Sequence, residues 1–67
     1  MFAVKLNQIR KEKGYTAQYM ADELVMTIGA YRKYENGRTS PPLDNLIKMA
    51  DILNVSLDNL VGRDFPK

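Results

Sequence analysis

The stretch that decides the fold is Thr27-Ile28-Gly29-Ala30-Tyr31-Arg32-Lys33-Tyr34-Glu35-Asn36-Gly37-Arg38, TIGAYRKYENGR. Thr27 is a good helix N-cap, and Met26 before it can staple against Tyr31. Gly37 supplies the left-handed residue that commonly follows a helix. At 100° per residue, Ala30, Tyr31 and Tyr34 form a buried stripe, with Glu35 at its margin. Ile28, Gly29, Arg32, Lys33 and Asn36 fall on the opposite face. That face holds two cations and no acid, whereas a helix with an ordinary solvated back mixes signs.

Outward from this helix, the periodicity is helical throughout, with no alternating run long enough for a strand. Upstream, Thr16 caps a second helix whose apolar face is Ala17, Met20, Ala21 and Leu24, with Tyr15 stapled to Met20. Only Val25, Met26 and Thr27 separate the second helix from the third, and so short a link forces a sharp angle between them. Before the second helix, Phe2, Leu6 and Ile9 recur at i, i+4, i+7, and Gly14 stops that first helix. Downstream, Pro41-Pro42 leads into a fourth helix marked by Leu43, Leu46, Ile47, Ala50 and Leu53 and ended near Asn54. Ser56 caps a short fifth helix with Leu57, Leu60 and Val61, stopped by Gly62. The spacing predicts an all-α domain of five helices over residues 1–62 and a short, fraying C-terminal tail over 63–67.

Composition narrows the function. The chain has 67 residues, no cysteine and no histidine. The commonest general base and the commonest metal ligand are therefore missing, and so is any thiolate site. Serines and threonines have no histidine partner, and carboxylates are scattered over caps and outer faces. An enzyme is the weakest reading, and no metal, cofactor or small-molecule ligand is expected. No apolar run reaches the ~18 residues of a membrane span, and the N-terminus lacks a signal-peptide core. A soluble, cytoplasmic protein with no membrane contact is expected. Net charge is +2 but uneven, +3 over residues 1–40 and −1 over residues 41–67. The basic half suits a polyanion.

In these pieces, taken in order, the chain resembles the Cro/cI-type (Xre-type) helix-turn-helix DNA-binding repressors of phages and bacteria. The resemblance spans roughly Phe2 to Val61. It rests on Leu6-x-x-Ile9-Arg10, Gly14-Tyr15-Thr16, Met20-Ala21-x-x-Leu24 and Tyr31-x-x-Tyr34-Glu35-Asn36-Gly37-Arg38. It continues through Pro41, Leu46-x-x-Met49-Ala50-x-x-Leu53 and Val55-Ser56-Leu57-Asp58-x-Leu60. The resemblance implies a lambda-repressor-like fold and a third helix that enters the major groove. It implies base readout, or contact with nearby phosphates, by Thr27, Ile28, Gly29, Arg32 and Lys33. It implies a grip on the DNA backbone by Thr16, Ala17, Gln18, Asn36 and Arg38. For Ile28 the expected contact is a thymine methyl.

This chain departs from the family pattern in three places. Ala17 stands where a glutamine is usual, which leaves the phosphate clamp to Gln18 or Tyr19. Tyr19 itself has three open readings: idle, bonded to a phosphate, or packed on a neighbour. Val25 stands where the turn usually has glycine, so either left-handed strain is tolerated there or the second helix ends differently. Pro42 stands where a capping hydroxyl is common. Arg10 is expected to pair with Glu35, as the family often pairs these positions, rather than to contact phosphate. Ile52, Val55, Val61 and Phe65 are candidates for a dimer surface, with a peripheral contact inside the chain as the competing reading.

The leading expectation is a sequence-specific transcriptional regulator, a repressor, that binds double-stranded DNA at a palindromic operator as a homodimer. The rival is a protein-interaction module, such as an antitoxin-like partner, on the same fold.

Overall fold

Residues 2–61 are described in the computed structural model, and five helices run through them. These are α1 (Phe2–Glu12), α2 (Ala17–Glu23), α3 (Ile28–Glu35), α4 (Leu43–Leu53) and α5 (Leu57–Val61). Two threonines and a serine start three of them. The hydroxyl of Thr16 accepts from the Tyr19 amide at 3.0 Å, that of Thr27 from the Ala30 amide at 3.2 Å, and that of Ser56 from the Asn59 amide at 3.0 Å. Pro42 caps α4 without a side-chain hydrogen bond. Its carbonyl still accepts from Leu46 at 3.0 Å.

The first four helices end by one device. Each is followed by a residue with positive φ: Gly14 at 79°, Val25 at 56°, Gly37 at 75° and Asn54 at 55°. In each case the next residue's amide reaches back to the carbonyl five positions earlier, as in Tyr15 to Arg10, Met26 to Ala21, Arg38 to Lys33 and Val55 to Ala50. This is the Schellman motif, which satisfies carbonyls that the helix end leaves free. Glycine and asparagine enter the left-handed region cheaply. Val25 does not, yet it takes the left-handed conformation, and the second helix ends as a glycine would end it.

The core gathers Leu6 and Ile9 of α1, Met20, Ala21 and Leu24 around α2, Tyr31 and Tyr34 of α3, Met49, Ala50 and Leu53 of α4, and Leu60 of α5. α2 packs on α3, α1 crosses both α3 and α5, and α4 touches α2 and α5. No helix among the described residues is long and apolar enough to cross a membrane.

Two expectations about faces are corrected. The periodicity puts Leu43 and Ile47 in the buried stripe of α4, but they are 63% and 42% exposed. The arc that meets the core is Leu46, Met49, Ala50 and Leu53, with half-buried Ile52 beside it. It is turned toward Ile52, which leaves Ile47 and Leu43 past the far edge. The wheel puts Ile28 on the open face of α3, but it is half-buried and packed against the core. Three residues of helix place it only about 60° from Tyr31, on the flank opposite Tyr34.

Candidate nucleic-acid interface

The position of α3 is fixed by a polar network beside the core. Arg10, from the end of α1, forks onto Glu35, with Nε to Oε2 at 2.6 Å and Nη2 to Oε1 at 3.1 Å. Nη1 of Arg10 also donates to the Tyr15 carbonyl at 2.8 Å. Asn7 Nδ2 donates to Glu35 Oε1 at 2.7 Å, and the Tyr31 hydroxyl donates to Oε2. One carboxylate thus ties α1, the α1–α2 loop and α3 together. Burial alone raises the Glu35 carboxyl, but the hydrogen bonds from Arg10, Tyr31 and Asn7 outweigh it and hold its pKa below the ordinary value. Donating these hydrogen bonds to Glu35 raises Arg10 in turn, against the pull of burial. Burial first, then the Glu35 contact, pushes the Tyr31 phenol far above its usual range, so it stays a donor.

Above this network the loop after α1, the start of α2 and the outer side of α3 meet in an open polar cleft. It is lined by Asn7, Arg10, Lys11, Tyr15, Thr16, Ala17, Arg32, Glu35 and Asn36. Four residues expected at the DNA, Thr16, Ala17, Arg32 and Asn36, are brought together on its rim. Gly29, Arg32, Lys33 and Asn36 are all exposed, at the i, i+3, i+4, i+7 positions of one helix face. Arg38 is exposed just beyond Gly37. Among the described residues, neither Arg32, Lys33 nor Arg38 forms a salt bridge. Thr27 is exposed, with its hydroxyl engaged as the cap.

Other candidates have neighbours within the chain. Gln18 Nε2 donates to Asp22 Oδ1 at 2.8 Å. Tyr19 lies over Tyr15, with ring centroids 4.7 Å apart and planes tilted by 31°. Ile28 gives part of its surface to the core and keeps the rest exposed at the start of α3. Of the candidate dimer residues, Ile52 and Val55 pack partly on their own core, Val61 is half-buried, and Phe65 lies outside the described residues.

Sequence reasoning missed Lys11, Tyr15 and Asn7. Lys11 reads as a cation suited to the end of a helix, and nothing in its neighbours announces that the end of α1 turns toward α2. Asn7 sits one position after core Leu6, and only the crossing of α1 over α3 puts it on Glu35.

The helix-turn-helix family model matches residues 6–60. The chain belongs to the Cro/cI-type (Xre-type) helix-turn-helix family. It is similar to the cryptic phage CTXphi transcriptional repressor RstR of Vibrio cholerae serotype O1, with 42% identity over 88% of this chain and 53% of that protein. It is also similar to the SPbeta prophage-derived uncharacterized HTH-type transcriptional regulator YonR of Bacillus subtilis, with 46% identity over 91% of this chain and 56% of that protein. The chain spans about half the length of the curated relatives it matches. Among solved structures, a transcriptional regulator from Listeria innocua superimposes with a TM-score of 0.88 and 30% identity, over all of this chain and 63% of that one. α2 and α3 both lie inside the residues that the family model matches.

Proposed function

We propose that the chain is a cytoplasmic, sequence-specific DNA-binding transcriptional regulator, with residues 1–62 as its helix-turn-helix domain. It acts as a repressor and binds a palindromic operator as a homodimer through the major groove. The observation that carries this reading is the open face of α3. Arg32 and Lys33 stand exposed there with no carboxylate partner among the described residues, beside the start of α2. Such cations have no salt bridge to break when they move onto a polyanion, and Arg32 can take guanine O6 and N7 together. Lys33 reaches a guanine or a phosphate. Thr16, Asn36 and Arg38 hold the DNA backbone on either side and set the register of α3. The similarity to a named phage repressor supports the sign of regulation.

A dimer follows from the arithmetic of specificity, since one recognition helix reads only a few base pairs. Selection of bound sites from a random duplex pool tests the reading. The expected product is a two-fold symmetric site. Binding to it should weaken with salt, with log K falling by about 0.9 per phosphate contact for each tenfold rise in salt. No enrichment, together with a flat salt response, would favour the protein-interaction reading.

A further inference from the structure

Gly29 is a glycine that the fold does not ask for. Its φ is not positive, unlike Gly14 and Gly37. A Cβ built on it meets nothing within 4 Å. It lies in the first turn of α3, a helix of only eight residues, where glycine weakens the helix relative to alanine. A side chain would therefore fit and would help the helix. Yet the bare position lies on the exposed face it shares with Arg32, Lys33 and Asn36. Nothing inside the chain occupies the space that a side chain there would take.

We infer that Gly29 is a specificity-determining residue whose missing side chain leaves room for the C5-methyl of a thymine in the major groove. This rests on the proposed reading that α3 faces DNA. The major-groove edge carries one bulky apolar projection, the thymine methyl. With Ile28 turned partly into the core, the exposed start of α3 presents backbone and open space rather than an apolar side chain. The methyl fills the volume that a Cβ would otherwise take. Recognition here is by close approach, and a wrong base at that pair leaves the space empty.

The test is a paired substitution in protein and DNA, using the full chain and its selected operator. Gly29→Ala is expected to fold, with helical circular dichroism unchanged and a Tm no lower than the parent's, because the added Cβ meets nothing inside the chain and alanine is the better helix former. Its affinity for the operator should fall by about tenfold or more, on the scale of one good base contact. Replacing one thymine per half-site by uracil, which removes only the methyl, should restore most of that loss for Gly29→Ala while weakening the parent. The inference is overturned if Gly29→Ala binds the parent operator as tightly as the glycine chain. It is equally overturned if the loss is unchanged by uracil at every thymine in turn. Arg32→Ala is run beside it. If Arg32→Ala weakens binding while Gly29→Ala does not, only the close-approach inference fails. If neither weakens it, the DNA-reading face itself is wrong and the inference falls with it.

Discussion

At the scale of single residues, two positions set against the ordinary rules have measurable consequences. Val25 holds φ of 56° and is 87% exposed, so its side chain gains little packing in return for left-handed strain. The same motif elsewhere in the chain uses Gly14, Gly37 and Asn54. Val25→Gly is therefore expected to raise the unfolding free energy by up to about 1 kcal/mol, with the relief of strain partly offset by a freer unfolded chain. Urea titration checks it, and a lowered midpoint at constant m would reject it. Glu35 is the opposite case, a carboxylate made indispensable by its partners. Its side chain and that of Arg10 are 9% and 12% exposed. Arg10→Ala leaves the carboxylate without its cation and should cost about 3 kcal/mol, the low end for a buried pair because some solvent contact remains. Because the folded pKa of Glu35 is depressed, its contribution is fully present above the unfolded value of about 4.3 and is lost as pH falls through the folded value. Glu35→Gln should therefore lie well below the parent in stability at pH 6, with the gap closing as both are acidified below pH ~4. A gap independent of pH would mean that packing, not charge, holds the pair.

At the scale of elements, α3 divides its residues between two tasks, and substitutions should separate them. Tyr34 is buried, its ring edge-on to Tyr31 at 6.3 Å, and its hydroxyl accepts from Asn45 of α4 at 3.1 Å. Tyr34→Ala should cost about 3–5 kcal/mol, the range for removing a buried aromatic, and abolish DNA binding only by unfolding the domain. Arg32→Ala and Lys33→Ala should leave the melting curve in place and weaken binding. Removing a side chain that pairs with guanine should cost about 1–3 kcal/mol and relax one position per half-site, whereas removing one that meets only phosphate should shrink the salt slope by about one. Parent-like binding by both variants would make α3 a core helix with a solvated back. The helices themselves were legible because local signals mark them: Thr16 and Thr27 as caps, Gly14 and Gly37 as stops, and tyrosines at helical spacing. What local signals do not carry is the rotation of a helix about its own axis. Leu43 and Ile47 sit in an apolar pattern wide enough to admit two arcs, and only packing against α2 and α5 selects the one through Met49 and Leu53. Ile28 is ambiguous in a similar way, since a first-turn residue about 60° off the stripe is assigned to either side by the neighbour it meets. Among the DNA candidates, Gln18 and Tyr19 have partners that no spacing rule foretells, because Asp22 and Tyr15 compete for them with the solvent.

At the scale of the whole molecule, the dimensions of the described domain limit how two copies of that domain would touch on the proposed operator. The described part of the chain spans 39 × 23 × 19 Å. Two copies on one face of a duplex touch only if their centres are no further apart than the long dimension. Half-sites one helical turn apart, ~34–36 Å, meet that condition, and half-sites two turns apart do not. Exposed apolar surface for such a contact is present on α4, where Leu43 and Ile47 stand one helical turn apart on the same side. Inserting about five base pairs between the half-sites should abolish cooperative binding, because it turns the second site to the opposite face of the DNA. Inserting about ten restores the face but doubles the separation, so this chain should still bind as two independent copies with the weaker affinity of a single half-site. Gel-shift titration distinguishes the outcomes through the steepness of the curve and the appearance of a singly bound band. Undiminished cooperativity on the longer insertion would mean that the copies do not meet through the domain described, and a single protein per duplex at saturation on the parent operator would remove the dimer altogether.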